Sequence, residues 1–271
     1  MPDIGDHFGV NTYSYTQSMS AAECLRRLAD QGVRSFELMF YPGHLWITDA
    51  PQTLADIRGV AAANGLEIIS LNSPNIDLNI AAATEEMRAL SLKQNQAFIR
   101  IAGELGAQGL ILGPGKPNPL FPLPRDILET YFFSALDVLI PIAERSSVSL
   151  FVENMPFAFL PEAESVMDSL ARYGNEDIKV CYDIANAHFI KENPTVGLQK
   201  VASRLALVHV SDTTQSVYRH DAVGAGNVDF ASLPAALAAS GYREPVMLEI
   251  ISAHADQDLA NSAAVLRQMG F

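Results

Sequence analysis

Eight short apolar runs, each followed by a helical pattern, predict an α/β protein folded as a single (β/α)8 TIM barrel. Three observations carry this. The runs are apolar almost without interruption, as strands buried on both faces must be. Eight units use up the 271 residues, so residues 1–271 are read as one domain, in keeping with barrels of about 250 residues. The first run passes into Tyr13-Ser14-Tyr15, not into the GxGxxG turn that opens a dinucleotide-binding sheet.

The elements follow in order. The first strand is Phe8–Thr12. Ser20 is a candidate N-cap for a helix over Ala21–Gln31, where Leu25, Leu28 and Ala29 form an i, i+3, i+4 stripe and Gly32 closes the C-terminal side. The second strand is Ser35–Met39, and its helix, Gln52–Asn64, stops at Gly65. Glu67–Leu71 is the third strand, with a long helix over Thr84–Leu105 closed by Gly106. Gly109–Leu112 is the fourth, running into Gly113-Pro114-Gly115 and then a helix over Arg125–Ser146. Ser149–Glu153 is the fifth, with a helix over Pro161–Tyr173. Lys179–Asp183 is the sixth, with a helix over Thr195–Ser203. Ala206–Val210 is the seventh, and after a long loop a helix runs from Asp229 to Gly241. Pro245–Glu249 is the eighth, and a last helix fills the C-terminus.

Composition narrows the function. A chain 49% hydrophobic and 18% charged has the makeup of a folded protein, not a disordered one. Its net charge of -13 disfavours nucleic acid and anionic membranes, whose partners gather Lys and Arg. The opening MPDIGDHFGV has no basic segment leading an apolar run, and no stretch is apolar enough to span a bilayer. Cys24 and Cys181 stand far apart and outside any CxxC pair, as reduced thiols of a cytoplasmic protein do. The expected partner is a small molecule, with no nucleic acid and no membrane.

In a barrel the chemistry gathers where the strands end. Strands five, six and eight end in Glu153, Asp183 and Glu249, and strand seven carries His209 near its end. Two Glu, one Asp and one His form an oxygen-and-nitrogen ligand set for one divalent ion: Mn²⁺, Mg²⁺, Co²⁺ or Zn²⁺. Three carboxylates at one rim repel one another unless a cation offsets their charge. The alternative is four unrelated polar groups ending strands.

These residues, with Val152-Glu153-Asn154, Tyr182-Asp183, His209-Val210-Ser211-Asp212, Leu248-Glu249 and the stretch Gly224-Ala225-Gly226-Asn227-Val228-Asp229-Phe230, resemble the xylose isomerase-like barrel superfamily over the whole chain. That superfamily includes ketohexose 3-epimerases, hydroxypyruvate isomerases, inosose dehydratases, 3-dehydroshikimate dehydratases and endonuclease IV. The resemblance implies one metal held by Glu153, Asp183, His209 and Glu249, with Glu153 and Glu249 as the acid/base pair. It implies an isomerase or epimerase of a small sugar, ketose or sugar acid, working through a metal-stabilised enediolate. A dehydratase on the same metal site and a non-catalytic metabolite-binding barrel are the rivals. The resemblance also implies a homodimer or homotetramer.

The endonuclease branch fits poorly. Asn72 or Ser73, Gly113, Tyr218 and Asn186 stand where that branch places further metal ligands. Ketohexose epimerases carry a His at the position of Asn186 and an Arg at that of Gln215. The substrate candidates are therefore Asn186 itself, His188, Arg219 and His220, the last toward substrate or metal unless it is an exposed loop residue. His44 and Trp46, in the loop after strand two, are candidates for a sugar-like ligand or for surface packing. Lys116 is a candidate for a substrate carboxylate or phosphate, or a solvated lysine. Glu37 is a candidate for a hydroxyl or a pair with Arg34, and Phe157 for a pocket cap or core packing.

Overall fold

The computed structural model describes residues 4–271, so Met1–Asp3, the start of the segment read above for a leader, lie outside the described residues. Eight parallel strands close into a barrel in chain order: β1 (Phe8–Asn11), β2 (Ser35–Met39), β3 (Glu67–Asn72), β4 (Gly109–Leu112), β5 (Ser149–Glu153), β6 (Lys179–Asp183), β7 (Leu205–Val210) and β8 (Val246–Leu248). Helices α1 (Ala21–Ala29), α2 (Pro51–Asn64), α3 (Glu85–Leu105), α4 (Arg125–Arg145), α5 (Ala163–Tyr173), α6 (Ile184–Phe189), α7 (Pro194–Val201), α8 (Leu233–Ser240) and α9 (Ala255–Gln268) complete the units. Among the described residues no helix is long and apolar enough to cross a membrane.

Local chemistry explains where the expected boundaries move. Strand one stops at Asn11 because Thr12 turns away, its Oγ1 accepting the Met39 N–H at 3.0 Å. The fifth helix starts at Ala163, where Glu162 and Ser165 form a reciprocal cap. An extra short helix, α6, follows β6 directly because the Asp183 carboxylate accepts the Asn186 N–H. The next helix then starts at Pro194, behind an Asn193 cap. The helix expected from Asp229 opens instead as a 3-10 turn over Phe230–Ser232.

Two apolar layers hold the barrel. The larger joins the outward faces of the strands to the helices, with Val10, Leu38, Val152, Val208 and Leu248 against Leu25, Phe98 and Leu136. The smaller fills the barrel interior with Ile69, Ile111, Phe151, Cys181, Leu207 and Met247. Four of these sit two residues before Glu153, Asp183, His209 and Glu249, so strand alternation places those four on the same inward face, one layer higher. Gly109 makes room for the layer: a Cβ there would lie 2.4 Å from the Phe151 ring.

Candidate metal and substrate site

The four strand-end residues meet. One ligand atom from each of Glu153, Asp183, His209 and Glu249 lies within 4.8 Å of the others, and all four residues are buried. His209 Nδ1 is 3.0 Å from Glu249 Oε2, 3.4 Å from Glu153 Oε1 and 3.7 Å from Asp183 Oδ2. None of these contacts has hydrogen-bond alignment, and Asp183 Oδ2, His209 Nδ1 and Glu249 Oε2 have no hydrogen-bond partner at all. Buried polar atoms are almost always paired. Three orphaned lone-pair donors aimed at one another are what a cation site presents, so this donor set fits a divalent ion.

Neighbouring residues fix the ligands. Asn154 accepts the Asp183 N–H at 2.7 Å and returns a bond to the Asp183 carbonyl at 3.0 Å, tying the ends of β5 and β6. Asp183 presents one carboxylate oxygen to Asn186 N and leaves the other for the site. Glu37, at the third position of β2, is fully buried and accepts from Asn11, Ser70, Asn72 and His209 Nε2. It does not pair with Arg34, whose guanidinium donates to the Ala29 and Val33 carbonyls.

Charge in the site follows from burial and crowding. Burial pushes the Asp183 carboxyl up to about 7, with Glu249 adding to the rise and His220 and His209 opposing it. Burial also raises Glu153, against the pull of His209. For Glu37 the balance reverses: burial disfavours its charge, but His209, Ser70 and Asn72 hold the carboxyl below its usual range. For His209 burial lowers proton affinity, yet the acidic surroundings keep it well above the ordinary value. Cys181 also comes within 4.8 Å of Glu153 and His209, but burial pushes its thiol well up and keeps it protonated, a poor ligand. Both cysteines are buried free thiols.

A cavity of about 450 Å³ opens above the four residues. Of the sequence candidates, Lys116, Asn186 and His220 line it with Glu153 and Glu249. His220, Tyr218 and Asn186 form a directed chain. Ser211 Oγ donates to His220 Nδ1 at 2.9 Å, His220 Nε2 to Tyr218 Oη at 2.9 Å, and Tyr218 to Asn186 Oδ1 at 2.8 Å. Asn186 Nδ2 then reaches Glu153 Oε1 at 3.4 Å. Phe157 also lines the cavity; at 61% exposed, against Phe189 and Tyr218, it is not core packing.

The other candidates lie outside the lining. His44 is buried and spent locally: Nδ1 donates to the Met19 carbonyl at 2.8 Å and Nε2 accepts from Thr12 Oγ1 at 3.0 Å. Trp46 packs on Phe98. His188 donates to Asn227 Oδ1 at 2.7 Å, and Arg219 is exposed. Sequence reasoning passed over Tyr13 and Tyr218, which both line the cavity. The Tyr13-Ser14-Tyr15 segment after strand one was the available signal for the first, and the position of Tyr218 where the endonuclease branch places a ligand was the signal for the second.

The glycine-rich segment is structural. Asp212 accepts the backbone N–H groups of Thr213, Gly224, Gly226 and Val228, gathering the long loop after β7. A Cβ on Gly226 would lie 2.2 Å from the Thr213 carbonyl oxygen, so only glycine fits there.

Known proteins agree with this architecture. A family model described as Xylose isomerase-like TIM barrel matches residues 25–269. The chain is 25% identical to an L-ribulose-5-phosphate 3-epimerase of Salmonella paratyphi C, over 92% of this chain and 90% of that one. Among solved structures, a D-tagatose 3-epimerase-like protein superposes with a TM-score of 0.84 at 22% identity, covering 97% of this chain and 96% of that chain. The IolI protein with a bound zinc atom superposes with a TM-score of 0.78 at 15% identity, covering 97% and 95%.

Proposed function

Because the chain belongs to the xylose isomerase-like TIM barrel family, we propose that it is a sugar epimerase or isomerase in which Glu153 and Glu249 move a proton on a small ketose. One observation carries the reading. Three buried lone-pair atoms, on Asp183, His209 and Glu249, are left without hydrogen-bond partners around a single point beside Glu153, at the end of a cavity of sugar-admitting size. The names of the similar proteins support a ketose as substrate, and the zinc in one of them supports a metal.

Glu153, Asp183, His209 and Glu249 would hold the ion: Mn²⁺, Mg²⁺, Co²⁺ or Zn²⁺. When bound, a divalent ion would supply positive charge next to the reacting ketose, which lowers the cost of removing the proton from the hydroxyl-bearing carbon beside the carbonyl. The residues do the rest. One carboxylate accepts that proton, and the other, from a second strand, returns one to the opposite face. Asn186 holds Glu153 in position through its amide. Tyr218 and Phe157 cover the mouth and limit water.

Metal-loaded protein incubated in D₂O with L-ribulose, D-tagatose, D-allulose and L-ribulose 5-phosphate tests this. The expected product is an isomer carrying one deuterium at the reacting carbon. Loss of one water would assign the chain to the dehydratases. No conversion of any ketose with metal bound would overturn the reading.

A further inference from the structure

Among the described residues lining the cavity, Lys116 is the one Lys or Arg, and its ammonium is already engaged. Nζ donates to the Asn75 carbonyl at 2.9 Å and also to the Ile76 carbonyl, which leaves one of its three protons. Asp77 lines the same wall and offsets its charge. Deeper in, Glu37, Glu153, Asp183 and Glu249 bring four carboxylates, more than one divalent ion neutralises. The helix start nearest the site, that of α6, is capped by Asp183 itself. The walls carry Tyr13, Tyr41, Ile76, Phe157, Tyr218 and Ile251. Phosphate sites are built from Arg, free Lys or open helix N-termini. This cavity offers instead an acidic floor and apolar and phenolic walls, which suit the C–H faces and hydroxyls of an uncharged sugar.

Resting on the epimerase reading, we infer that the site takes an unphosphorylated ketose and discriminates against the same sugar carrying a terminal phosphate. A dianion entering past a wall where Asp77 offsets Lys116 meets an acidic floor.

The experiment pairs turnover with binding. Zinc-loaded protein is assayed at low ionic strength on L-ribulose and on L-ribulose 5-phosphate, and both are titrated by calorimetry. The free sugar is expected to exceed the ester in kcat/KM by about 100-fold, the scale of electrostatic steering. Added salt should narrow the gap by screening the repulsion. Ile76→Arg, a cation at the exposed wall, should shift the ratio toward the ester by about tenfold. Equal or better use of the ester by the wild-type protein overturns the inference. If neither sugar is converted, calorimetry decides: tighter binding of the free sugar upholds the charge argument, and tighter binding of the ester overturns it, independently of the epimerase reading.

Discussion

Glu37 Oε1 lies 3.1 Å from Nε2 of His209, and this contact turns the other ring nitrogen toward Glu153, Asp183 and Glu249. A carboxylate that accepts Nε2–H leaves Nδ1 as the ligand atom and holds the ring against rotation. Glu37 is itself immobilised by Asn11, Ser70 and Asn72. Glu37→Gln keeps the size and loses the charge. It should weaken divalent-metal binding roughly 10- to 100-fold. Equilibrium dialysis with Zn²⁺ or Mn²⁺ measures this, and an unchanged circular dichroism spectrum shows that the fold is intact.

Truncating His209 removes the one nitrogen ligand of the set. His209→Ala should bind metal more weakly than Glu37→Gln, since it loses a ligand and not its support. Equal metal content in His209→Ala and wild-type protein after identical purification would sink the assignment.

Metal affinity should rise with pH as Asp183, held near 7, and His209, held well above its ordinary value, give up their protons. Asp183 titrates near 7 in the metal-free folded chain and near its ordinary 3.8 when unfolded. Between those values the folded state holds a proton that the unfolded state has released, so the metal-free protein loses stability as pH climbs through the window. Binding an ion displaces that proton. Affinity should therefore gain roughly tenfold per pH unit between about 5 and 7 for each proton released. Calorimetry in buffers of different ionisation enthalpy counts the protons.

Glu153→Gln and Glu249→Gln should each slow epimerisation by about 10²–10⁴-fold, the usual contribution of a positioned acid or base. Deuterium incorporation from D₂O should fall in parallel, and zinc content measured alongside separates lost proton transfer from lost metal.

Gly226→Ala has no space for its methyl group beside the Thr213 carbonyl and Asp212. The loop after β7 must shift, at roughly 1–3 kcal/mol by the scale of overpacked sites. A lowered denaturation midpoint with preserved slope in urea would show it. Because that loop carries Tyr218 and His220, KM for the ketose should rise as well.

The barrel was legible because each of its strands announces itself as an apolar run, and burial on both faces leaves no other pattern. Glu153, Asp183, His209 and Glu249 were legible as a group because strand alternation carries them to one face without help from loops. Residues on loops were legible only in part: Lys116, Phe157 and His220 line the cavity, while His44, Trp46 and Arg219 do not. His44 has the same chemistry as His220, yet one ends on a backbone carbonyl and the other above Glu249. That difference lies in loop paths set by Thr12 and Asp212 through contacts that no local pattern shows. Glu37 was read toward a hydroxyl or Arg34; its partner is His209, 172 residues later. Helix α6 was hidden because its six residues are too few to show a period.

The packed layer of Ile69, Ile111, Phe151, Cys181, Leu207 and Met247 makes the cavity a cul-de-sac. Whatever rests at its blind end came through the mouth, and whatever entered last must leave first. An ion held by Glu153, Asp183, His209 and Glu249 would sit behind a sugar bound in the cavity. Shape would then impose the order of assembly, ion before sugar, and a saturating ketose should shield the ion from a chelator that strips the vacant enzyme.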